Sequence, residues 1–145
     1  MDAFEAISLP ESSTLSVRKR FSVAEANRAL VLVRRIVADI VREYAHLREL
    51  YGACRQVDAE GEPARAEDVR RQYALSTDRL SALRDELEEV GCELKDYSIG
   101  LVDFPARVDG RNVLLCWMLG EESVAHWHET AAGFSGRQPV NSDWA

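Results

Sequence analysis

Apolar residues recur along the first half of the chain in steps that alternate four and three: Ala26, Leu30, Val33, Val37, Ile40, Tyr44, Leu47, Tyr51 and Cys54. That 3.5-residue period is the seam of a left-handed coiled coil and predicts one long helix. Val31, Leu32, Ile36 and Val41 widen the stripe in its N-terminal half, so a second layer is expected there. Ser22 and Glu25 carry the S-x-x-E spacing of a capping box, which places the helix start. The same alternation resumes at Val69, Tyr73, Ser76, Leu80, Leu83, Leu87 and Val90, with Ser76 as its one polar member. Between the two runs, Val57 to Pro63 holds Gly61 and Pro63; it predicts a turn, with Pro63 opening the second helix. Gly91 suits the left-handed position that ends it. Two helices with so short a connection fold back as an antiparallel hairpin over residues 22–90. At 1.5 Å per residue the first helix reaches roughly 50 Å, enough to predict a protruding arm or a dimer.

The period shortens after Gly100. Leu101 to Val108 reads as a strand, Asp109-Gly110 as a two-residue turn of type I′, and Arg111 to Leu119 as the returning strand. Pro105 has no N–H for a ladder, which predicts an edge position for the first strand. The second is apolar on both faces, so it is expected to be central and covered on both sides. The helical hairpin supplies one cover, and a partner subunit is expected to supply the other. Val124 to Glu129 alternates and reads as a third strand. The fold class predicted is α+β: a long, coiled-coil-like antiparallel helical hairpin packed with a small antiparallel β-sheet. Residues 1–20 read as a flexible leader, 21–140 as a single domain with its β segment at 100–129, and 141–145 as a loose tail.

Composition narrows the functions. The chain has 145 residues, 46% hydrophobic and 30% charged, with a formal net charge of -7. So acidic a chain lacks the basic face that counterion release requires, which argues against nucleic acid and anionic membranes as partners. The basic cluster Arg18-Lys19-Arg20 is too small to change that. Residues 22–56 hold six Arg against four acidic residues and residues 64–90 five Arg against seven, a weak complementarity within the hairpin. Cys54, Cys92 and Cys116 form no C-x-x-C pair, so neither a disulfide framework nor a zinc knuckle is expected. No stretch has signal-peptide or membrane-span character, and a cytoplasmic location is expected.

Candidate chemistry lies in the third strand. His126 and His128, one residue apart on a strand, share a face, and imidazole is a common ligand of zinc and similar transition metals. A carboxylate would complete a set with open positions. Glu129 is adjacent, and register offers Asp103. With Asp109-Gly110 as the loop, Asp103 pairs with Cys116. A three-residue connection to the third strand then puts Asp103, Cys116, His126 and His128 on one face, whereas a four-residue connection flips the histidines. The same residues also suit structural roles: histidines bonded to main chain, Asp103 ion-paired with an arginine, Cys116 as a small apolar residue. Metal binding, with zinc, iron or manganese, is the favoured reading. Arg107 and Arg137 would hold an anion, and Cys116, Trp117 and Trp127 would support the site. Two further readings stay open: a helical-hairpin interaction module, and a haem or other planar cofactor held by a histidine with Trp117 and Trp127 stacked on it.

The block Gly100-Leu101-Val102-Asp103-Phe104-Pro105-Ala106-Arg107, with Val113 to Trp117, Leu119-Gly120-Glu121, Ala125 to Glu129, Gly133-Phe134 and Gly136-Arg137, resembles an uncharacterised bacterial and archaeal family, domain of unknown function 2203. Phe21-Ser22-Val23-Ala24-Glu25-Ala26-Asn27 is similar to that family's start. The resemblance implies a helical hairpin followed by a β segment, implies no activity, and picks out Asp103, Arg107, Trp117, His126, His128, Glu129 and Arg137. Gly120 followed by His126-Trp127-His128 is also similar to the first metal motif of cupins. There, however, Ala132 and Gly133 replace the expected Glu, and long helices replace the strands of a jelly roll.

Overall fold

The computed structural model describes residues 19–141 and Trp144. The leader expected at residues 1–20 lies outside these except for Lys19 and Arg20, and most of the expected tail does too. Helix α1 spans Val23–Glu60 and α2 spans Pro63–Val90. Ser22 caps α1 through a complete capping box: its hydroxyl accepts from the Glu25 amide and its own amide donates to the Glu25 carboxylate. Gly61, at φ 70°, ends α1 in the left-handed conformation, and Pro63 opens α2 two residues later. The first helix thus runs three residues past the expected break at Val57.

The seam residues are buried or half-buried, and Leu50, outside the seam, is buried with them. Ala26, Leu30, Val33, Val37, Ile40 and Leu47 of α1 meet Leu80 and Leu87 of α2 in one core with the sheet. Toward the tip of the hairpin, Val57, Ala66 and Val69 form a separate small cluster. The polar seam member Ser76 is fully buried and donates to Glu43 Oε2 at 2.6 Å. Ile36 packs into the second layer as expected, but Val31 and Leu32 are 74% and 50% exposed.

The sheet has five antiparallel strands in sequence order: β1 Glu93–Asp96, β2 Leu101–Val108, β3 Arg111–Met118, β4 His126–His128 and β5 Gln138–Pro139. Asp109 and Gly110 both have positive φ, as a type I′ turn requires. β3 is central, as its two apolar faces predict. β2 is not a simple edge. β1 pairs with it from Leu101 to Asp103. Pro105 lies beyond the end of β1, and there Phe21 takes the neighbouring place, donating its amide to the Pro105 carbonyl at 2.7 Å. Val102, Phe104, Ala106, Val113, Leu115 and Trp117 face the helices and join the core. Alternation turns Leu101, Asp103, Leu114, Cys116, His126 and His128 to the other face. The chain itself covers part of that face. After β4 it folds back over it, so that Thr130, Gly133 and Phe134 enclose a cavity with Asp103 and His128, and Arg137 reaches His126. The cover expected from a partner subunit is, at this end, supplied by the chain.

Candidate functional site

Two registers build the site. Asp103 stands opposite Cys116 across β2 and β3, and Cys116 stands opposite His126 across β3 and β4. The strand β4 is too short to hold itself, and its position is set from α1. The Asn27 side chain accepts from the Val124 amide at 2.8 Å and donates to the Val124 carbonyl at 3.2 Å. Arg34 donates to the Glu122 carbonyl at 2.8 Å. On the far side β5 pairs with β4, and Val140 donates to the Ala125 carbonyl at 2.9 Å.

On this frame Asp103, Cys116 and His128 bring a carboxylate oxygen, a thiol sulfur and an imidazole nitrogen within 4.8 Å of one another, all three residues buried. Among the described residues they form the one such group. His128 is 2% exposed and Asp103 likewise. His128 Nδ1 lies 2.8 Å from the Glu129 main-chain carbonyl, which can only accept, so Nδ1 carries a proton. Nε2 lies 3.1 Å from Asp103 Oδ1, the distance of a hydrogen bond between the two and also one that a metal ion can bridge. Metal-ligating histidines are held in this way, with the second ring nitrogen donating to a carbonyl or carboxylate. Two ligands around a tetrahedral zinc at about 2.1 Å stand roughly 3.4 Å apart, close to the spacing found here.

Burial pushes the Asp103 carboxyl above the usual carboxylate range, against the pull of its hydrogen bond with His128. Burial also pushes the Cys116 thiol up to about 12, with the nearby Asp103 adding to it. Both shifts follow from burial, which disfavours the charged form of each group.

The other residues singled out from sequence lie elsewhere. The ring of His126 does not join the trio; its Nδ1 accepts from Arg137, whose guanidinium also pairs with Glu121 at 2.5 Å. The two histidines share a face yet serve different partners. Glu129 turns outward to Arg111 at 2.7 Å. Arg107 is exposed near the hairpin end of β2, four residues from Asp103. Trp117 and Trp127 lie on the helix side, Trp117 donating from Nε1 to the Glu121 carbonyl at 3.0 Å. The stacked arrangement expected for a planar cofactor is therefore not formed. Sequence reasoning missed Glu121, which also accepts from the Met118 amide at 2.7 Å. A single acidic residue in a turn gives no signal of that role. It also missed Lys95, which lines the cavity of about 200 Å³ beside Asp103 and His128.

No helix among the described residues is long and apolar enough to cross a membrane. Comparison with curated proteins and with solved structures gives no match. A family model described as "Uncharacterized conserved protein (DUF2203)" matches residues 19–140, which spans both helices and the whole sheet, and the chain belongs to that family.

Proposed function

We propose that the protein binds a divalent transition metal through Asp103, Cys116 and His128, with zinc the best match. The observation that carries this is the placement of His128: Nδ1 is tied to a main-chain carbonyl while Nε2 lies 3.1 Å from Asp103, and the ligand atoms of Asp103, Cys116 and His128 gather within 4.8 Å of one another. A mixed sulfur, nitrogen and oxygen set suits zinc and, next, iron; manganese favours oxygen ligands. Three protein ligands leave a position open, as in zinc sites that polarise a carbonyl or activate water rather than in closed structural ones. A reducing, cytoplasmic setting agrees with the free thiols of Cys54, Cys92 and Cys116. The homodimer expected from the sequence finds support in the exposed Val31 and Leu32 on α1 rather than in an uncovered sheet face. The acidic net charge continues to disfavour nucleic acid.

Elemental analysis and zinc titration of the chelator-stripped chain test the site. One zinc per chain is expected. His128→Gln and Cys116→Ser are each expected to weaken binding by more than about 100-fold, beyond the 10–100-fold typical of an outer-shell partner. His126→Gln is expected to leave stoichiometry unchanged. A folded chain that takes up no zinc, iron or cobalt, or one that loses metal only with His126→Gln, would refute the reading.

A further inference from the structure

The cavity beside Asp103 and His128 adds a ligand class to the proposed metal site, and its assignment rests on that proposal. About 200 Å³ of space opens beside Asp103 and His128. Sites for drug-sized molecules hold about 300–1,000 Å³, so this one takes a ligand of only a few non-hydrogen atoms. Leu101, Leu114 and Phe134 give it apolar walls, and Thr130 and Lys95 provide polar groups. A divalent ion at the floor balances the charges of Asp103 and a Cys116 thiolate. The one other charged group in the lining is the Lys95 ammonium. It pairs at 2.8 Å with Glu93, which stands opposite Asp103 across β1 and β2, so an entering anion competes with Glu93 for it. Lys95 is 39% exposed at its side chain, so it stands at the mouth and can shift toward an entering anion.

We infer that this cavity binds a small monocarboxylate with a short alkyl chain, its carboxylate drawn to the ion and to Lys95 and its chain laid against Leu101, Leu114 and Phe134. Lys95 is the residue that selects for negative charge, and the apolar walls select for an alkyl tail over a hydrated one.

The experiment uses the full chain loaded with cobalt(II), whose visible absorption reports on the groups bound to the ion. Butyrate is expected to shift the spectrum saturably, and butyramide, of the same size but neutral, to leave it unchanged. Acetate, two methylenes shorter, is expected to bind roughly 15-fold more weakly, at about fourfold per buried methylene. Lys95→Met changes an exposed side chain and is expected to keep full cobalt stoichiometry while weakening butyrate at least about tenfold, as loss of a charge-assisted contact does. A stoichiometric cobalt protein whose spectrum ignores butyrate overturns this inference and leaves the metal site standing. Equal binding of butyramide, or unchanged butyrate affinity in Lys95→Met, overturns it as well. A chain that takes up no cobalt overturns both readings.

Discussion

Asn27 is the residue that ties the first helix to the strand carrying His128, and removing it tests how the site is placed. Its amide makes three hydrogen bonds: Nδ2 donates to the carbonyls of Val23 and Val124, and Oδ1 accepts from the Val124 amide. Val124 is 2% exposed, so water reaches it poorly. Asn27→Ala leaves both main-chain groups of Val124 without their partner, at about 1–3 kcal/mol for each buried orphan. Alanine recovers up to about 0.7 kcal/mol of helix propensity. The net loss expected is about 1–5 kcal/mol, within the whole stability of an ordinary domain, so the variant is expected to fold. Asn27→Asp is the sharper probe. It keeps the acceptor for the Val124 amide but sets a carboxylate oxygen against two carbonyls. Only the protonated acid can donate there, so folding raises the pKa of the introduced carboxyl. The deficit is therefore absent below its unfolded pKa and grows as pH rises through its folded value. Urea unfolding measures the cost, and amide exchange at Val124, His126 and His128 shows whether it is local. Zinc affinity is expected to fall about 10–100-fold with Asn27→Ala, as it does when a ligand loses its support. A cost under about 1 kcal/mol with unchanged exchange at Val124 would show that something else positions β4.

Three further outcomes are expected elsewhere in the fold. Gly100→Ala should destabilise by about 2–4 kcal/mol, because Gly100 has φ 70° and an added Cβ would lie 2.7 Å from Val37 and 2.9 Å from Leu119. Gly52→Ala, with open space around it inside α1, should instead stabilise by about 0.5–1 kcal/mol, and thermal unfolding that moves the two in the same direction would contradict this. Burial raises the Glu43 carboxyl, but hydrogen bonds from Arg79 and Ser76 outweigh it and hold the group below the ordinary glutamate value of 4.5. Its contribution is thus full above that value and is lost as pH falls through the depressed one, so the stability gap between the native chain and Glu43→Gln should close on acidification; parallel pH curves would refute the pairing.

The helices could be read from sequence because burial follows the period: every residue at the alternating steps of four and three is buried or half-buried. The hairpin at Asp109-Gly110 could be read because its two positive φ angles demand those residue types. β1 and β5 could not. β1 has one buried residue, Leu94, among charged neighbours, and β5 is two residues long. Both are strands because a neighbouring edge pairs with them, and pairing leaves no period. The site was readable to the level of parity. Counting register from the turn placed Asp103 opposite Cys116 and left two faces open to the histidines; the structure takes the alternative that pairs Cys116 with His126. Parity fixes a face but not a partner. Arg137, which arrives eleven residues after His126, claims that ring, and Cys116 takes its place beside His128.

The two faces of this sheet obey different energetics. Toward the helices, Val102, Phe104, Leu115 and Trp117 bury hydrocarbon, at about 25 cal/mol per Å² of apolar area removed from water. Toward the other side, the same strands enclose Asp103, Cys116 and His128 as fully as any core residue. An enclosed carboxylate costs several kcal/mol that a leucine at that position would not. Stability alone would therefore have placed an apolar side chain at position 103. A proton between Asp103 and His128, with the Cys116 thiol hydrogen-bonded to Asp103, offsets part of the cost. A divalent ion uses all three groups together and offsets the desolvation of each. That shared use of three ligand groups is the physical ground on which the proposed metal site rests.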